Sequence, residues 1–372
     1  MPIYLDRHDI PDEITAEHVA EMHQKDLEVQ HEFGCRGFTY WFDEKRKTGF
    51  CLIEAPNKEA LIKMHDHAHG AIPSEIIEVE ERFVEAFLGR LEDPVKTKDE
   101  ELIIRESAFR VIMLSRVKMT SLLRRDHNGD DIQGFNKSIV HLLKRHRGRI
   151  VETDHNHFLF SFVSLSNALE CALEMQSEFE KFTGHSSDSG LHLKIGLSCG
   201  VPVNKKEKLF EDHISLSSDL CEGVSGKIAI SYEIKNLAQS EQLNLTNEKK
   251  LVHALTYSEE QFLVQFMDHL SRHWQKTDLN LEDICENLGL SQSKLYRLMK
   301  SIAAKSPNTF IRDYRLDKAL ELLRIQKDNI SEIAFDTGFN SPSYFSKCFL
   351  QKYGMLPSSY LKMLANPSLS RP

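Results

Sequence analysis

The stretch ISEIAFDTGFNSPSYFSKCFLQKYG, residues 330–354, determines how the C-terminal part of the chain folds. Apolar residues recur at helical spacing on both sides of Gly338, a residue that suits a tight turn. The positions expected to face inward are Ile330, Ile333 and Ala334 before the glycine and Phe345, Phe349 and Tyr353 after it. The pattern predicts two short helices joined by a turn, which is a helix-turn-helix unit.

A similar pattern occurs earlier, in LNLEDICENLGLSQSKLYRLMKSI, residues 279–302. Gly289 is expected to end the first helix and Ser291 to cap the second, because serine is favoured at helix N-caps. The inward positions of this unit are Leu281, Ile284, Leu288, Leu295, Leu298 and Ile302. The chain is therefore expected to carry a pair of helix-turn-helix units.

One helix is expected to join the two units. Residues 306–326, SPNTFIRDYRLDKALELLRIQ, contain four apolar positions that would pack on both flanking units: Leu316, Ala319, Leu320 and Leu323. A helix of about 17 residues is roughly 25 Å long at 1.5 Å per residue. Two recognition helices held that far apart can enter successive major grooves on one face of a DNA duplex, which turns once in about 34 Å.

The outward faces of the two second helices carry the candidate DNA-reading residues. Polar and basic side chains at a helix N-terminus can hydrogen-bond base edges, and lysine and arginine also neutralise phosphates. The candidates are Ser291, Gln292, Ser293, Lys294, Tyr296 and Arg297 in the first unit and Asn340, Ser341, Ser343, Tyr344, Ser346 and Lys347 in the second.

Residues 330–361 resemble the second half of the DNA-binding domain of AraC/XylS regulators nearly position for position. Residues 291–323 are similar to the first half and the connecting helix, most closely to the versions found in bacterial hybrid sensor-regulators. Two residues depart from the family pattern, since Cys285 replaces a small alanine and Ala304 replaces a glycine. The resemblance implies a sequence-specific DNA-binding transcription regulator whose partner is double-stranded DNA.

The distribution of charge fits this interpretation. The whole chain carries a formal net charge of −9, but residues 289–372 contain thirteen lysines and arginines against six acids. That segment is therefore at +7, and residues 1–288 are at −16. Phosphate binding depends on local positive potential, because exposed charges beyond a Debye length are screened.

At 372 residues the chain is expected to fold as several domains. The predicted fold class is multidomain, with two α+β ferredoxin-like domains followed by an all-α double helix-turn-helix domain. Residues 1–80 alternate short β-rich runs with helical stretches in the order β-α-β-β-α-β. The predicted boundaries are 1–82 for the first domain, 83–106 for a linker, 107–235 for the second domain, 236–260 for another linker and 261–366 for the DNA-binding domain.

The middle domain resembles the class III nucleotidyl cyclases, through residues 148–176, 191–203 and 214–231. The resemblance places Arg116 and Asn156 where those enzymes have two metal-binding aspartates. It also places Glu152 at the purine-reading lysine, and Ser215 and Asp219 where side chains face the transition state. An arginine repels a metal ion and an aspartate repels triphosphate, so we expect no catalysis.

The role of the middle domain stays open at this point. Domains of this type pair across a dyad, so a homodimer that delivers paired DNA-binding units is the preferred interpretation. A small-molecule crevice for an effector is the second. The alternatives from other classes are a nucleotidyl cyclase-like enzyme and a metal-responsive protein, each with a DNA-binding appendage. His155 and His157 flank Asn156, but two imidazoles without a third ligand are more typical of a hairpin surface.

The N-terminal domain resembles small bacterial ferredoxin-like proteins for which nickel binding has been described, through residues 2–7, 51–56 and 71–79. In the run MHDHAHG, His65 and His69 lie one helical turn apart, with His67 beside them. Imidazole and thiolate ligands suit nickel or zinc, so the predicted ligands are Cys51, His65, His67 and His69. His8, His18, His23 and His31 are less constrained possibilities, and a merely solvated histidine face is the plain alternative.

Composition excludes several other classes. No apolar run approaches the roughly 18–20 residues that span a bilayer, and the opening residues are acidic instead of forming a basic and apolar leader. The seven cysteines are scattered and contain no CxxC pair, which indicates reduced thiols. We therefore expect a cytoplasmic regulator without a membrane partner, controlled by a small molecule or a metal ion.

Overall fold

The computed structural model describes residues 1–94, 103–122, 129–154, 157–184, 190–204, 206–243, 251–325 and 329–365. The strands in these ranges are β1 (Ile3–Asp9), β2 (Arg36–Asp43), β3 (Thr48–Glu54), β4 (Glu75–Val79), β5 (Arg110–Met119), β6 (Arg149–Asp154), β7 (His157–Phe162), β8 (Leu191–Gly200), β9 (Ile228–Ile230) and β10 (Val252–Ala254). The helices are α1 (Ala16–Val29), α2 (Lys58–Ala68), α3 (Glu81–Leu88), α4 (Gly129–Arg145), α5 (Leu165–Phe182), α6 (Glu211–Gly223), α7 (Tyr232–Ser240), α8 (Tyr257–His273), α9 (Leu281–Leu288), α10 (Gln292–Ala303), α11 (Pro307–Arg324), α12 (Ile330–Asp336), α13 (Pro342–Tyr353) and α14 (Pro357–Ala365).

The N-terminal region is an antiparallel sheet in the order β2-β3-β1-β4, with α1 and α2 on one face. The chain order is β-α-β-β-α-β, so the ferredoxin-like prediction is confirmed. A helix begins at Lys58 because the side chain of Asn57 caps it by accepting a hydrogen bond from the Ala60 amide, at 2.9 Å. In the register of β1 and β3, Asp6 lies opposite Cys51.

The middle region repeats this plan and extends it. Its strands run in the order β6-β7-β5-β8, followed by β9 and β10, which add in parallel beside β8. Alternate residues of β5 point to opposite faces of the sheet. Val111 and Met113 join the core beneath α4, α5 and α7, whereas Ile112 and Leu114 face the N-terminal sheet. The second α+β prediction is therefore confirmed as well.

The segment expected as the first linker, 83–106, begins inside a helix. Phe87 and Leu88 of α3 are buried in the core shared by the two sheets. Arg110 is itself buried and donates hydrogen bonds to the carbonyls of both residues, each at 3.0 Å. The charged composition of this segment led to the prediction of a linker, although the glutamates lie only on the outer face of a strongly apolar helix. The second expected linker, 236–260, likewise contains the end of α7, the strand β10 and the start of α8.

The C-terminal region is entirely helical in its described residues, and the all-α prediction is confirmed. Helix α11 joins two separate cores, with Phe310 and Ile311 in the core of the first unit. Leu316, Ala319, Leu320 and Leu323 were predicted to pack on both units, but all four lie in the core of the second unit, so the prediction was wrong for the first unit. The connecting helix thus fixes the two units relative to each other. None of the described helices is both long and apolar enough to cross a membrane.

Candidate functional site

Helix α10 presents its N-terminal turn to solvent. Ser291 is the N-cap, and its hydroxyl accepts a hydrogen bond from the Lys294 amide at 3.3 Å. The predicted DNA-reading residues of this unit, Ser291, Gln292, Ser293, Lys294, Tyr296 and Arg297, are all exposed. Leu295 is fully buried between them and anchors the helix in the core. The arrangement leaves a polar, basic helix end free to meet another molecule.

Helix α13 repeats this construction. Ser341 caps it by accepting a hydrogen bond from the Tyr344 amide at 3.3 Å, and Pro342 occupies the first helical position, where a missing N–H costs nothing. Of the predicted residues, Asn340, Ser343, Tyr344 and Lys347 are exposed, and Ser341 and Ser346 are half-buried. Phe345 is buried at the position equivalent to Leu295, four residues after the cap.

The two helices are equivalent in their chemistry as well as in their geometry. Six residues after each N-cap serine stands a cation, Arg297 in α10 and Lys347 in α13. The C-terminal ends of both helices face the middle region. The Ser225 amide donates to the Ile302 carbonyl at 2.7 Å, and the Leu122 amide donates to the Tyr353 carbonyl at 2.8 Å. Docking thus occupies the far ends of both helices and leaves their N-terminal ends open.

A buried polar cluster lies between β1, β3 and the helices of the N-terminal region. Asp6, His8, Cys51 and His65 each bring one potential ligand atom within 4.8 Å of the others. The Nε2 atom of His65 lies 2.9 Å from Asp6 Oδ2, and His8 Nε2 lies 3.4 Å from Asp6 Oδ1. Carboxylate, imidazole and thiolate ligands together suit zinc or nickel.

A second set shares His65 with the first. The Nδ1 atom of His65 lies 3.0 Å from Asp26 Oδ1 and 3.2 Å from His69 Nε2. Asp26, His65 and His69 form the second group of possible ligands. A cavity of about 20 Å³ lies against His8, Asp26, Cys51 and His69, which is room for one water molecule or ion. The residues present therefore fit a transition-metal ion.

Electrostatics at the cluster favour a cation. Burial by itself raises the pKa of Asp6, but His8 and His65 outweigh it and hold that pKa well below its usual range. Burial lowers the pKa of His65, but Asp6 and Asp26 outweigh it and raise the pKa to about 10. Two buried carboxylates thus require a positive charge between them. The protonated imidazole supplies that charge, and a divalent cation can supply it too.

The structure brings three of the four predicted metal ligands together. Cys51, His65 and His69 lie in the two sets, whereas His67 is exposed and packs against the Phe33 ring, with ring centroids 5.6 Å apart. Sequence reasoning missed Asp6 and Asp26, which come from β1 and α1. The signal for Asp6 was present, because Asp6 and His8 occupy alternate positions of β1 and therefore share one face of the sheet, and both are buried.

The positions compared with cyclase chemistry lie apart from both features. Arg116 is bound to Glu222 at 3.3 Å, so a cation already occupies the place of the first metal aspartate. Glu152 is exposed on the edge strand β6. Ser215 and Asp219 lie on α6 beside Arg116, in the wall of an open cleft. His155 and Asn156 fall outside the described residues.

Two family models match separate parts of the chain. Residues 284–363 match a helix-turn-helix domain, and residues 4–79 match the family described as nickel responsive protein SCO4226-like. The first match covers both units described above. The second covers the sheet and helices that hold the buried cluster.

Curated relatives match over short segments. Histidine kinase P4 of Formosa agariphila is 44% identical over 75 residues, which is 20% of this chain and 6% of the relative. An uncharacterised HTH-type transcriptional regulator, YdeC of Bacillus subtilis, is 37% identical over 99 residues, 27% of this chain and 34% of the relative. The chain thus spans about a third or less of the length of these relatives.

Among solved structures, a bacterial light-regulated adenylyl cyclase aligns at 11% identity and a TM-score of 0.29, covering 63% of this chain and 87% of the cyclase. A likeness at that level carries no information about activity. The family matches concern the two ends of the molecule. The chain accordingly joins an SCO4226-like domain at its N-terminal end to an AraC-type helix-turn-helix domain at its C-terminal end.

Proposed function

We propose that this protein is a sequence-specific DNA-binding transcription regulator of the AraC/XylS type, acting in the cytoplasm. The observation that carries the proposal is the pair of capped, exposed helix N-termini on α10 and α13, joined rigidly through α11. The N-terminal turn of a recognition helix is the part that contacts base edges in the major groove. The 18 residues of α11 give a length of about 27 Å, which suits neighbouring grooves on one DNA face.

Each set of exposed residues has a distinct task in this proposal. Arg297 and Lys347, one helical turn and a half beyond the caps, are the cations that reach guanine edges or phosphates. Gln292 and Asn340 supply amide groups that can pair with adenine. The other candidates position the helices on the sugar-phosphate backbone of the DNA. They are Ser291, Ser293, Lys294, Tyr296, Ser341, Ser343, Tyr344 and Ser346.

A gel shift with the full chain and DNA from upstream of its own gene tests the proposal. We expect selective binding that survives excess competitor DNA, weakened in Arg297→Ala and in Lys347→Ala. Lys181→Ala is the matched control, because Lys181 is an exposed cation of the middle region paired with Glu178 at 2.7 Å. Equal binding to the upstream and the competitor DNA, or equal losses in the control, would contradict the proposal.

We propose further that the N-terminal domain holds a nickel or zinc ion as an effector. The support is the fit of the buried cluster, in which Asp6, His8, Cys51, His65 and His69 supply mixed oxygen, nitrogen and sulfur ligands, and the match of residues 4–79 to a nickel-responsive family. A bound ion would act as a structural cross-link and not as a reaction centre. It would tie β1 and β3 to α2.

Metal analysis of the purified full chain, after exposure to nickel or zinc and removal of excess, tests this part. We expect bound metal in the wild type and a loss of most of it in Cys51→Ala and His69→Ala. His67→Ala is the control, because His67 is only two residues from His65 and from His69 but is exposed and lies outside the cluster. His65→Ala is avoided, because it leaves Asp6 and Asp26 facing each other without a positive charge.

We also propose that the protein is not an enzyme and acts as a homodimer. Arg116, held by Glu222, opposes metal binding at the place where a cyclase needs it. The two faces of the middle sheet are covered within the chain, so pairing would use its outer helices or the edge strand β6. Analytical ultracentrifugation of the full chain, with and without operator DNA, measures this directly. A monomer in both conditions would contradict the dimer.

A further inference from the structure

A cleft of about 810 Å³ lies between the middle region and the C-terminal helices. The end of β5 forms its floor, α6 forms one wall, and α8 and α11 form the other. Its volume falls within the usual range of small-molecule sites, about 300–1,000 Å³. Because α11 connects the two helix-turn-helix units, an occupant of this cleft would touch the element that sets their separation.

The floor of the cleft carries more positive than negative charge. Arg116 and Lys118 occupy alternate positions of β5 and share a single carboxylate, Glu222, at 3.3 and 2.5 Å. Lys118 also approaches Asp317 of α11 at 3.9 Å, but Asp317 is already bound by Lys352. Three cations therefore share two carboxylates, and the two cations that line the floor are partly buried, at 28% and 21% exposure.

The wall contributed by α11 adds a further cation, Arg324. Arg324 donates to the Tyr360 hydroxyl at 3.2 Å and lies 3.9 Å from the Met119 sulfur. Among the described residues, no carboxylate lies within ion-pair distance of its guanidinium. Arg324 is two turns from Asp317 on the same face of the helix, so it points toward the end of β5 that carries Lys118.

The acids at the rim do not offset this excess. Asp268 is paired with Arg272 at 2.7 Å, and Glu321 is paired with Lys318 at 3.0 Å. Burial and the neighbouring Asp268 raise the pKa of Asp219 to about 7, so its carboxyl is only partly ionised at neutral pH. A cleft with net positive charge inside a body whose first 288 residues carry −16 points to an anionic ligand.

We propose that this cleft binds a compact, multiply charged oxyanion, held by Arg116 and Lys118 of the middle region and by Arg324 of the DNA-binding region. The chemistry required is that of phosphate or carboxylate oxygens, which accept hydrogen bonds from guanidinium and ammonium groups. The inference rests on the proposed function, since the anion would be a second effector of the regulator, in addition to the metal ion proposed for the N-terminal domain. It identifies the cleft, and not the N-terminal cluster, as the site closest to the output.

Coupling to DNA follows from the position of the site. An anion that contacts both regions binds best when α11 is docked on β5, so by linkage it stabilises that docked arrangement. The docked arrangement fixes the C-terminal ends of α10 and α13 through Ile302 and Tyr353. Anion binding would therefore change the affinity for paired operator sites.

Isothermal titration calorimetry of the full chain tests the proposal, with pyrophosphate and citrate as the two probes at constant ionic strength. We expect saturable binding of at least one probe, weakened tenfold or more in Arg116→Gln and in Arg324→Gln. Arg145→Gln is the matched control, because Arg145 is an exposed arginine on α4 paired with Glu174 at 3.0 Å. Binding of pyrophosphate alone would indicate a phosphorylated effector, and binding of citrate alone a polycarboxylate.

Two results would overturn the proposal. One is the absence of saturable binding by both probes, and the other is binding that Arg324→Gln leaves unchanged, since then no bridge to α11 exists. Arg324 is exposed, so its variant is expected to fold. The gel shift of the wild type without added anion is independent of these titrations. Its failure would contradict the regulator, whereas failed titrations with intact DNA binding would contradict the anion site alone.

Discussion

Replacing the turn glycines of the two helix-turn-helix units is predicted to have unequal effects. Gly289 and Gly338 both adopt left-handed backbone conformations, with φ of +62° and +78°. A Cβ added at Gly289 would meet nothing within 4 Å. A Cβ added at Gly338 would lie 2.7 Å from the Trp274 carbonyl oxygen and 2.8 Å from Arg315 Nε.

The magnitudes follow from these distances. Gly289→Ala bears only the cost of a left-handed alanine, about 1–2 kcal/mol. Gly338→Ala bears that cost and also separates Arg315 from Trp274, whose hydrogen bond measures 2.7 Å. A hydrogen bond to a charged group contributes about 1.5–3 kcal/mol, so the second substitution should cost that much more.

Hydrogen exchange of the full chain measures both effects locally, because each helix reports its own opening free energy. Amides of α13 in Gly338→Ala are expected to lose about 10- to 100-fold more protection than amides of α10 lose in Gly289→Ala. Gly338→Ala should also weaken binding to upstream DNA, since Trp274 and Arg315 set the second turn against the helices of the first unit. Equal losses of protection in the two variants would contradict this prediction, because the close contact at Gly338 would then contribute nothing to the cost of the substitution.

Three further predictions concern single side chains. Ser291→Ala and Ser341→Ala should each lower the free energy of unfolding, measured by urea denaturation, by about 1 kcal/mol. Ser291→Gly and Ser341→Gly should lower it by only about a few tenths of a kcal/mol, and a glycine variant as destabilised as the alanine variant would contradict the assignment of these serines as caps. The pKa of Asp219 is raised from 3.8 to about 7, so wild-type stability is lost as the pH rises through that range. The denaturation midpoint of Asp219→Asn should therefore rise relative to that of the wild type as the pH increases from 5 to 8. A difference between the two midpoints that stays constant over this range would contradict the prediction. Arg297→Ala and Lys347→Ala should each weaken DNA binding by about 1–3 kcal/mol in a sequence-dependent way; a uniform loss, with a salt slope lower by about one, would assign the residue to phosphate instead.

Sequence patterns were sufficient to predict the architecture, because the spacing of apolar residues within each helix or strand indicates its type. The helix-turn-helix units, the connecting helix and both β-α-β-β-α-β orders follow from local apolar spacing, from turn glycines and from cap residues. Helix α3 was missed because its glutamates at positions 81 and 85 give a charged composition, although Val84, Phe87 and Leu88 are buried. Composition averages over both faces of a helix, whereas burial depends on one face.

The candidate sites show the same limit. His65 and His69 could be paired from helical spacing, since His65 lies on α2 and His69 is the C-cap residue that follows this helix. The contacts of Asp6 and Asp26 with His65 could not be predicted in this way. These two residues come from β1 and α1, and they reach His65 only through the sheet register and the packing of α1 on α2. The cleft between the middle region and the C-terminal helices could not be predicted from the sequence for a stronger reason. Its walls come from α6, α8 and α11, whose contact depends on how separate domains dock.

That two recognition helices of one rigid domain read DNA together is tested by hydroxyl-radical footprinting of the full chain on its upstream DNA. We expect two protected patches on one face of the duplex, about 10 base pairs apart. Arg297→Ala should weaken one patch and Lys347→Ala the other. A single patch, or one patch lost in both variants, would contradict the claim.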